Sequence, residues 1–128
     1  IPALIDKAAT AVNDTFEVWG DGRASRSFLF VDDFARGTVE ATARADNCEV
    51  VNLGSDEEIS IGDLSQMIAR IVGKRKQMEL VPVFQSDAPT GQPRRKCDTR
   101  KAREMLGYET CISMEEGLAR TVDWYLEQ

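Results

Sequence analysis

Segments with helical periodicity alternate with short β-rich segments along this sequence, and the alternation predicts an α/β (α+β) fold. The length of 128 residues suits one domain, residues 1–128, better than two. Apolar residues make up 42% of the chain and charged residues 30%, which is ordinary globular usage and argues against disorder. The strands and helices alternate without internal repeats, which agrees with this class.

The first third of the chain predicts two helices separated by two strands. An apolar stripe of helical spacing covers residues 1–12. Apolar and polar residues alternate over 15–22, which is typical of a strand ending in a Gly-Asp-Gly turn, and residues 25–31 are a second β-rich segment. Asp32 or Asp33 can cap the next helix, which extends to about residue 45.

The middle of the chain predicts a strand, a helix and another strand. Residues 49–55 form a short apolar strand between turn formers. Ser60 and Asp63 resemble a capping box at the start of a helix that Gly73 is expected to end. Residues 78–84 read as a strand whose proline favours an edge position.

A loop and two helices complete the chain. Residues 85–97 hold two prolines, one glycine and three consecutive bases, and a short helix over 99–106 follows. Ser113 and Glu116 form a capping box before the final helix. The apolar side chains that this helix is expected to bury are Met114, Leu118, Val122, Trp124 or Tyr125, and Leu126.

Charge is distributed unevenly along the chain. The net charge is −6, yet residues 70–103 hold ten bases against three acids. The overall acidity argues against a general nucleic-acid binder, which needs a net basic face. The basic segment has two interpretations, a local anion site or a solvated basic surface.

Cysteine and histidine usage excludes a structural zinc site. Cys48, Cys97 and Cys111 are widely spaced, and the chain has no histidine to complete a ligand set. No apolar run is long enough to span a bilayer, and the first residues do not resemble a secretory signal. We therefore expect reduced thiols, a cytoplasmic location and no membrane partner.

Common catalytic motifs are absent from the sequence. There is no G-x-G-x-x-G, no P-loop, and no histidine to act as a general base. Neither tyrosine is followed four residues later by a lysine. The adjacent acids at 32–33 and at 57–58 suit a helix start and a solvated turn better than acid–base catalysis. No catalytic residue is therefore predicted.

Three segments in order, residues 18–33, 50–73 and 89–127, carry a family resemblance. They contain V-W-G-D-G, R-S-F-L-F-V-D-D, V-V-N-L-G-S, and G-Q-P-R-R-K-C-D-T followed by a terminal helix. Together they resemble the C-terminal half of the extended short-chain dehydrogenase/reductase family, which comprises NAD(P)-dependent nucleotide-sugar epimerases, dehydratases and reductases. The nearest subfamilies look like GDP-fucose synthase and GDP-mannose 3,5-epimerase, although UDP-glucuronate decarboxylases and dTDP-glucose dehydratases share much of the pattern.

The resemblance implies a division of labour between two halves. In this family the N-terminal half carries the glycine-rich cofactor loop and the Tyr-x-x-x-Lys pair, and this sequence contains neither. We therefore expect a C-terminal fragment without the dinucleotide-binding half, which binds a nucleotide-diphosphate sugar, holds no cofactor itself and does not catalyse alone.

The resemblance also implies substrate-binding residues. Arg26 matches a family arginine that contacts the substrate diphosphate, and Arg94 has the spacing of a second one. Its neighbours Arg95 and Lys96 could take the place of Arg94 if the register were shifted. Trp19 matches a position that stacks near the base, and Leu4 lies in a helix start that lines the nucleotide pocket. The alternatives are a solvated basic surface for the bases and a core position for the tryptophan.

Three functions remain open from the sequence. The first is substrate binding, with a GDP-sugar favoured. The second is a self-associating module, expected to be a homodimer, because a half-fold exposes apolar surface that usually drives association. The third is a half-enzyme completed in trans by an N-terminal catalytic half.

Overall fold

The computed structural model describes residues 1–45 and 48–128. It contains the alternation of helices and strands that the sequence predicts. The helices are α1 Pro2–Ala9, α2 Val31–Arg44, α3 Ile61–Lys76, α4 Arg100–Leu106 and α5 Met114–Leu126. The strands are β1 Thr15–Trp19, β2 Ser25–Ser27, β3 Glu58–Ser60, β4 Val81–Gln85 and β5 Arg94–Arg95. None of these helices combines the length and the apolar character needed to cross a membrane.

The strands form two small sheets. In one, β1 and β4 pair in parallel from Thr15 opposite Val81 to Trp19 opposite Gln85. In the other, β2 lies in the centre, antiparallel to β3 and parallel to β5. Within the described ranges β4 pairs with β1 alone, so Pro82 lies in an edge strand as predicted and its missing N–H interrupts no second ladder.

The main hydrophobic core lies where α1, α3 and α5 pack beside β1. Its buried members are Ile5, Ala8, Phe16, Val18, Leu64, Ile68, Ala69, Ile71, Val72, Leu80, Leu118 and Val122. Met114 is also buried, so this part of the prediction for the final helix is confirmed. Leu126, however, is 39% exposed, because it is the last residue of α5 and lies beyond the core. Of the two aromatic alternatives, Tyr125 contacts the core and Trp124 faces solvent.

A second, smaller cluster forms where α4 packs against α2. Ala102, Leu106 and Tyr108 are buried there, and Val51 and Leu53 pack against them. Residues 49–55 do not form the predicted strand, because none of the described strands pairs with them. The alternation of Val51 and Leu53 instead places both side chains against α4, while Val50 is exposed.

The N-cap bond of both predicted capping boxes is confirmed, with Ser60 and Ser113 as the N-caps of α3 and α5. The Ser60 hydroxyl accepts a hydrogen bond from the Asp63 N–H at 2.9 Å, and Ser113 accepts one from the Glu116 N–H at 3.3 Å. The predicted end of α3 at Gly73 is wrong, since the helix continues for three residues to Lys76. A Cβ atom on Gly73 would lie 2.6 Å from the carbonyl oxygen of Met78, so the glycine permits the chain to return closely past the helix.

Neither Asp32 nor Asp33 caps α2, whose N-cap is Phe30 without a side-chain hydrogen bond. Asp33 is instead 2% exposed, and its carboxylate accepts hydrogen bonds from the Cys111 and Ile112 N–H groups and from Arg36. The strand predicted over 25–31 is shorter in the structure, since β2 ends at Ser27 and α2 begins at Val31.

Asp33 stays ionised in this environment. Burial alone would raise the pKa of the carboxyl, but the N–H donors of Ile112 and Cys111 and the Arg36 guanidinium outweigh burial and hold the pKa below its ordinary value. The carboxylate therefore ties the segment before α5 to the start of α2.

Candidate functional site

The ladder between β2 and β5 places two arginines side by side. Arg26 is the register partner of Arg95, and Ser25 is the partner of Arg94. Because successive side chains of a strand point to opposite faces, Arg26 and Arg95 share one face of the sheet and Arg94 belongs to the other.

The face that carries Arg26 and Arg95 borders an open cleft with a volume of about 630 Å³. The other residues that line it are Ser27, Phe28, Asn52, Lys96, Cys97 and Asp98. Among the described residues, neither Arg26 nor Arg95 nor Lys96 forms an ion pair with a carboxylate, whereas Asp98 is paired with Arg100 at 2.6 Å. The cleft thus holds three cations whose charge is not neutralised by an ion pair.

The turn before β3 and the segment after β5 form one side of the cleft. A Cβ atom on Gly54 would lie 2.7 Å from the Cβ of Cys97, so the turn before β3 packs directly against the segment after β5. The Ser27 hydroxyl accepts a hydrogen bond from the Cys97 N–H at 3.2 Å, which ties the same segment to β2. Asn52 also lines the cleft, and its side-chain amide donates to the carbonyl of Asp98 at 3.5 Å.

The Arg26 side chain is half-buried beside the loop that precedes β5. Its Nη1 donates to the carbonyl of Ser25 at 2.6 Å, and a Cβ atom on Gly91 would lie 3.9 Å from its Nη2. Gly91 has a φ of +68°, a conformation that glycine adopts at little cost. The guanidinium therefore lies beside Gly91, is hydrogen-bonded to the backbone of β2, and lines the cleft.

Arg94 is engaged on the opposite face of the sheet. Its Nε and Nη2 donate to the two carboxylate oxygens of Glu58 at 2.8 and 2.7 Å, and Ser25 Oγ donates to the same carboxylate at 2.5 Å. These hydrogen bonds, from Arg94 first and Ser25 second, lower the pKa of Glu58 to about 2. The structure thus brings Arg95 together with Arg26 and does not place Arg94 in the cleft.

Trp19 and Leu4 lie at another part of the surface, where β1 ends beside α1. The Trp19 side chain is 62% exposed, and Lys7 Nζ is 5.0 Å from its ring centroid. Leu4, which lies about one helical turn before Lys7 on α1, is half-buried and packs against the main core. A Cβ atom on Gly20 would overlap Thr90, so the loop before β5 passes from the end of β1 to Arg26.

Asp33 is a structurally important residue, outside the cleft, for which the sequence predicted only a helix cap or a solvated acid. The Val-Asp-Asp sequence that contains Asp33 is typical of a helix cap, and no local signal shows that the Asp33 carboxylate points inward. The hydrogen bonds that reveal its position come from residues more than 70 positions later in the chain.

Comparisons with known proteins agree on one family. The family profile described as GDP-mannose 4,6 dehydratase matches residues 1–121. GDP-mannose 3,5-epimerase of Arabidopsis thaliana is 34% identical over 99% of this chain and 32% of its own length. A putative GDP-L-fucose synthase of the same plant is 36% identical over 99% of this chain and 38% of its own length. The chain therefore spans about a third of the length of these curated relatives.

A solved structure extends the comparison to the fold. A variant of the UDP-glucuronic acid 4-epimerase of Bacillus cereus, in complex with UDP-4-deoxy-4-fluoro-glucuronic acid and NAD, is 27% identical with a TM-score of 0.77. The match covers 98% of this chain and 40% of the epimerase. Matches of this kind fall on the C-terminal portions of Rossmann-type epimerases.

The described residues do not fit the NAD that this neighbour holds. A dinucleotide pyrophosphate is bound by a glycine-rich turn between a strand and the N-terminus of a helix. Here the turn from β2 to α2 consists of Phe28, Leu29 and Phe30, and α3 follows β3 without an intervening loop.

The fold, the family profile and the relatives together identify the chain: it belongs to the extended short-chain dehydrogenase/reductase family of NAD-dependent nucleotide-sugar epimerases and dehydratases, and corresponds to the C-terminal portion of its members.

Proposed function

We propose that this chain supplies the substrate-binding part of a sugar-nucleotide epimerase, dehydratase or reductase, and that it binds the diphosphate in the cleft lined by Arg26, Arg95 and Lys96. The observation that carries the proposal is the placement of Arg26, Arg95 and Lys96 along one cleft without a carboxylate partner among the described residues. Cations that are not neutralised by ion pairs attract an anionic ligand without first having to break an ion pair.

The two arginines suit a diphosphate by geometry as well as by charge. A guanidinium presents planar pairs of N–H donors that match two oxygens of a phosphate, so neighbouring arginines can each hold one phosphate group. Lys96 adds a compact charge at the same cleft. In this proposal Arg95 takes the place that the spacing in the sequence assigned to Arg94, because Arg94 is bound to Glu58.

The base is proposed to bind toward Trp19. The exposed indole of Trp19 offers an aromatic face for stacking, and Leu4 belongs to α1, the helix beside Trp19. The loop before β5 connects this surface to Arg26. A GDP-sugar is favoured because both curated relatives described above are named for GDP-sugars.

Titration calorimetry with GDP and UDP tests this proposal. The double variant Arg26→Ala/Arg95→Ala is expected to bind GDP at least a hundredfold more weakly, since each arginine contributes charge-assisted hydrogen bonds worth about 1.5–3 kcal/mol. Arg70→Ala is the matched control, because Arg70 pairs with Glu115 outside the cleft and its loss should leave the affinity unchanged. Equal affinity of the double variant and the wild type, or no binding of either nucleotide by the wild type, would refute the proposal.

A second candidate function, association with another chain, is favoured by one surface. Val31, Phe34 and Val39 lie along α2 at helical spacing and are 64%, 53% and 69% exposed, and Val50 nearby in sequence is 82% exposed. The partner is either a second copy or an N-terminal catalytic half supplied in trans. Light scattering of the chain alone distinguishes them: a dimer that Phe34→Glu dissociates supports the first, and a monomer at high concentration eliminates it.

A further inference from the structure

One carboxylate connects all three strands of the sheet that carries the cationic cleft. Glu58 lies in β3, and its side chain accepts hydrogen bonds from Ser25 in β2 and from Arg94 in β5. The strand order is β3-β2-β5, so Glu58 reaches across the central strand to the far one. Its side chain is only 23% exposed, compared with 68% for the Arg94 side chain.

The strand that this carboxylate reaches is only two residues long, and two further hydrogen bonds to β2 flank it, from the Ser25 N–H to the Pro93 carbonyl at 2.9 Å and from the Cys97 N–H to Ser27 Oγ at 3.2 Å. β5 consists of Arg94 and Arg95, which pair with Ser25 and Arg26. Because the side-chain period of a strand is two, a slip of one residue would turn Arg95 away from the cleft and Arg94 into it. A bidentate side-chain bond that holds Arg94 on the Glu58 face adds to these backbone bonds and keeps Arg95 on the opposite face, beside Arg26.

We propose that Glu58 is a positioning residue for nucleotide-diphosphate binding: by holding Arg94 it sets the register of β5 that turns Arg95 into the cleft. Glu58 does not contact the ligand in this arrangement and acts only through Arg94. The inference rests on the proposed function, because it assigns Glu58 its role through a diphosphate held by Arg26 and Arg95.

The test compares Glu58→Gln with a control that removes the same kind of bond elsewhere. The pair between Arg75 and Asp123 is also bidentate, at 2.7 and 2.9 Å, and it joins α3 to α5 away from the cleft. Titration with GDP should show about tenfold weaker binding for Glu58→Gln, near the lower limit for losing one charge-assisted hydrogen bond, and wild-type affinity for Asp123→Asn. Thermal unfolding of both variants verifies that each is folded.

A double-mutant cycle shows whether Glu58 acts through Arg94. Arg94→Ala alone should weaken GDP binding to the same extent as Glu58→Gln, and the double variant should be no weaker than either. The charge-reversed pair Glu58→Arg/Arg94→Glu should recover affinity relative to each single reversal. Additive losses in the cycle, or wild-type affinity of Glu58→Gln, would overturn the proposal.

The register of β5 is measured without any ligand by nuclear Overhauser effects between the backbones of β2 and β5. Those connecting Arg26 with Arg95 should be lost or shifted in Glu58→Gln and retained in Asp123→Asn. Unchanged contacts in Glu58→Gln would overturn the positioning role even if GDP does not bind. Failure of the wild type to bind GDP, with the register lost in Glu58→Gln, would instead refute the substrate site alone.

Discussion

Replacement of Asp33 by asparagine tests the buried carboxylate that joins the start of α2 to the segment before α5. The side chain is 2% exposed and accepts from Arg36 Nη2 at 2.9 Å, from the Cys111 N–H at 3.0 Å and from the Ile112 N–H at 3.0 Å. Asp33→Asn preserves the shape but replaces one oxygen by an NH₂ group, which cannot accept from the N–H group that it would face.

The expected loss of stability follows from these bonds. Charge-assisted hydrogen bonds are worth about 1.5–3 kcal/mol and neutral ones about 0.5–1.5 kcal/mol, and a buried donor left without a partner costs about 1–3 kcal/mol. One lost bond and two weakened bonds together give a decrease of about 3 kcal/mol in the free energy of unfolding. For a chain of this size, such a decrease lowers Tm by about 10 °C.

Urea unfolding followed by circular dichroism measures this difference, with equal m values required for the comparison. Asp32→Asn is the matched control, because the Asp32 side chain is 64% exposed and its contact with Arg120 is 3.4 Å long. The control should lose no more than about 0.5 kcal/mol. If Asp33→Asn and Asp32→Asn were equally stable, the buried carboxylate would not hold the two segments together and the reasoning would be wrong.

Three further outcomes are expected. Arg94 and Ser25 lower the pKa of Glu58 from 4.5 to about 2, so the contribution of the Glu58 carboxylate to stability is complete above about pH 4.5 and is lost as the pH falls toward 2. Glu58→Gln should therefore flatten that part of an acid-unfolding curve, and an unchanged curve would contradict the pairing. A Cβ atom on Gly37 would lie 2.6 Å from the Tyr108 ring, so Gly37→Ala should destabilise the fold by about 1–3 kcal/mol despite its better helix propensity, and a raised Tm would argue against this contact. Trp19→Phe should abolish the quenching of tryptophan fluorescence by GDP, whereas Trp124→Phe, also at an exposed position, should retain it; the reverse result would remove Trp19 from the proposed base site.

Local chemistry made much of the fold predictable from the sequence. The capping boxes at Ser60 and Ser113 and the apolar stripes that follow them define α3 and α5, because both signals act within one helical turn. The segment 49–55 shows where such signals stop being sufficient. Its composition is typical of a strand, but a ladder needs a partner, and the structure instead uses its apolar residues to cover α4.

The candidate site was predictable in its chemistry and less so in its residue assignment. The sequence indicates cations at Arg26 and Arg94, and a shift of one residue in register puts Arg95 in the place of Arg94. The choice between adjacent arginines depends on which face of β5 each occupies. Glu58, which holds Arg94 on one face, lies 36 positions earlier in the chain, and spacing within the loop carries no information about it.

Both parallel ladders join segments from opposite halves of the chain, β1 with β4 and β2 with β5. Residues 28–93 lie between the two strands that carry the cleft arginines, so no short hairpin can bring those strands together. Closing a long loop loses chain entropy before any contact rewards it, and such non-local pairing slows folding. During synthesis β5 leaves the ribosome after α1, α2 and α3, so we expect the cationic cleft to be completed only when the last third of the chain has been synthesised. If the cleft binds a nucleotide as proposed, its affinity would therefore report the native long-range pairing of β2 with β5 more directly than helix content does.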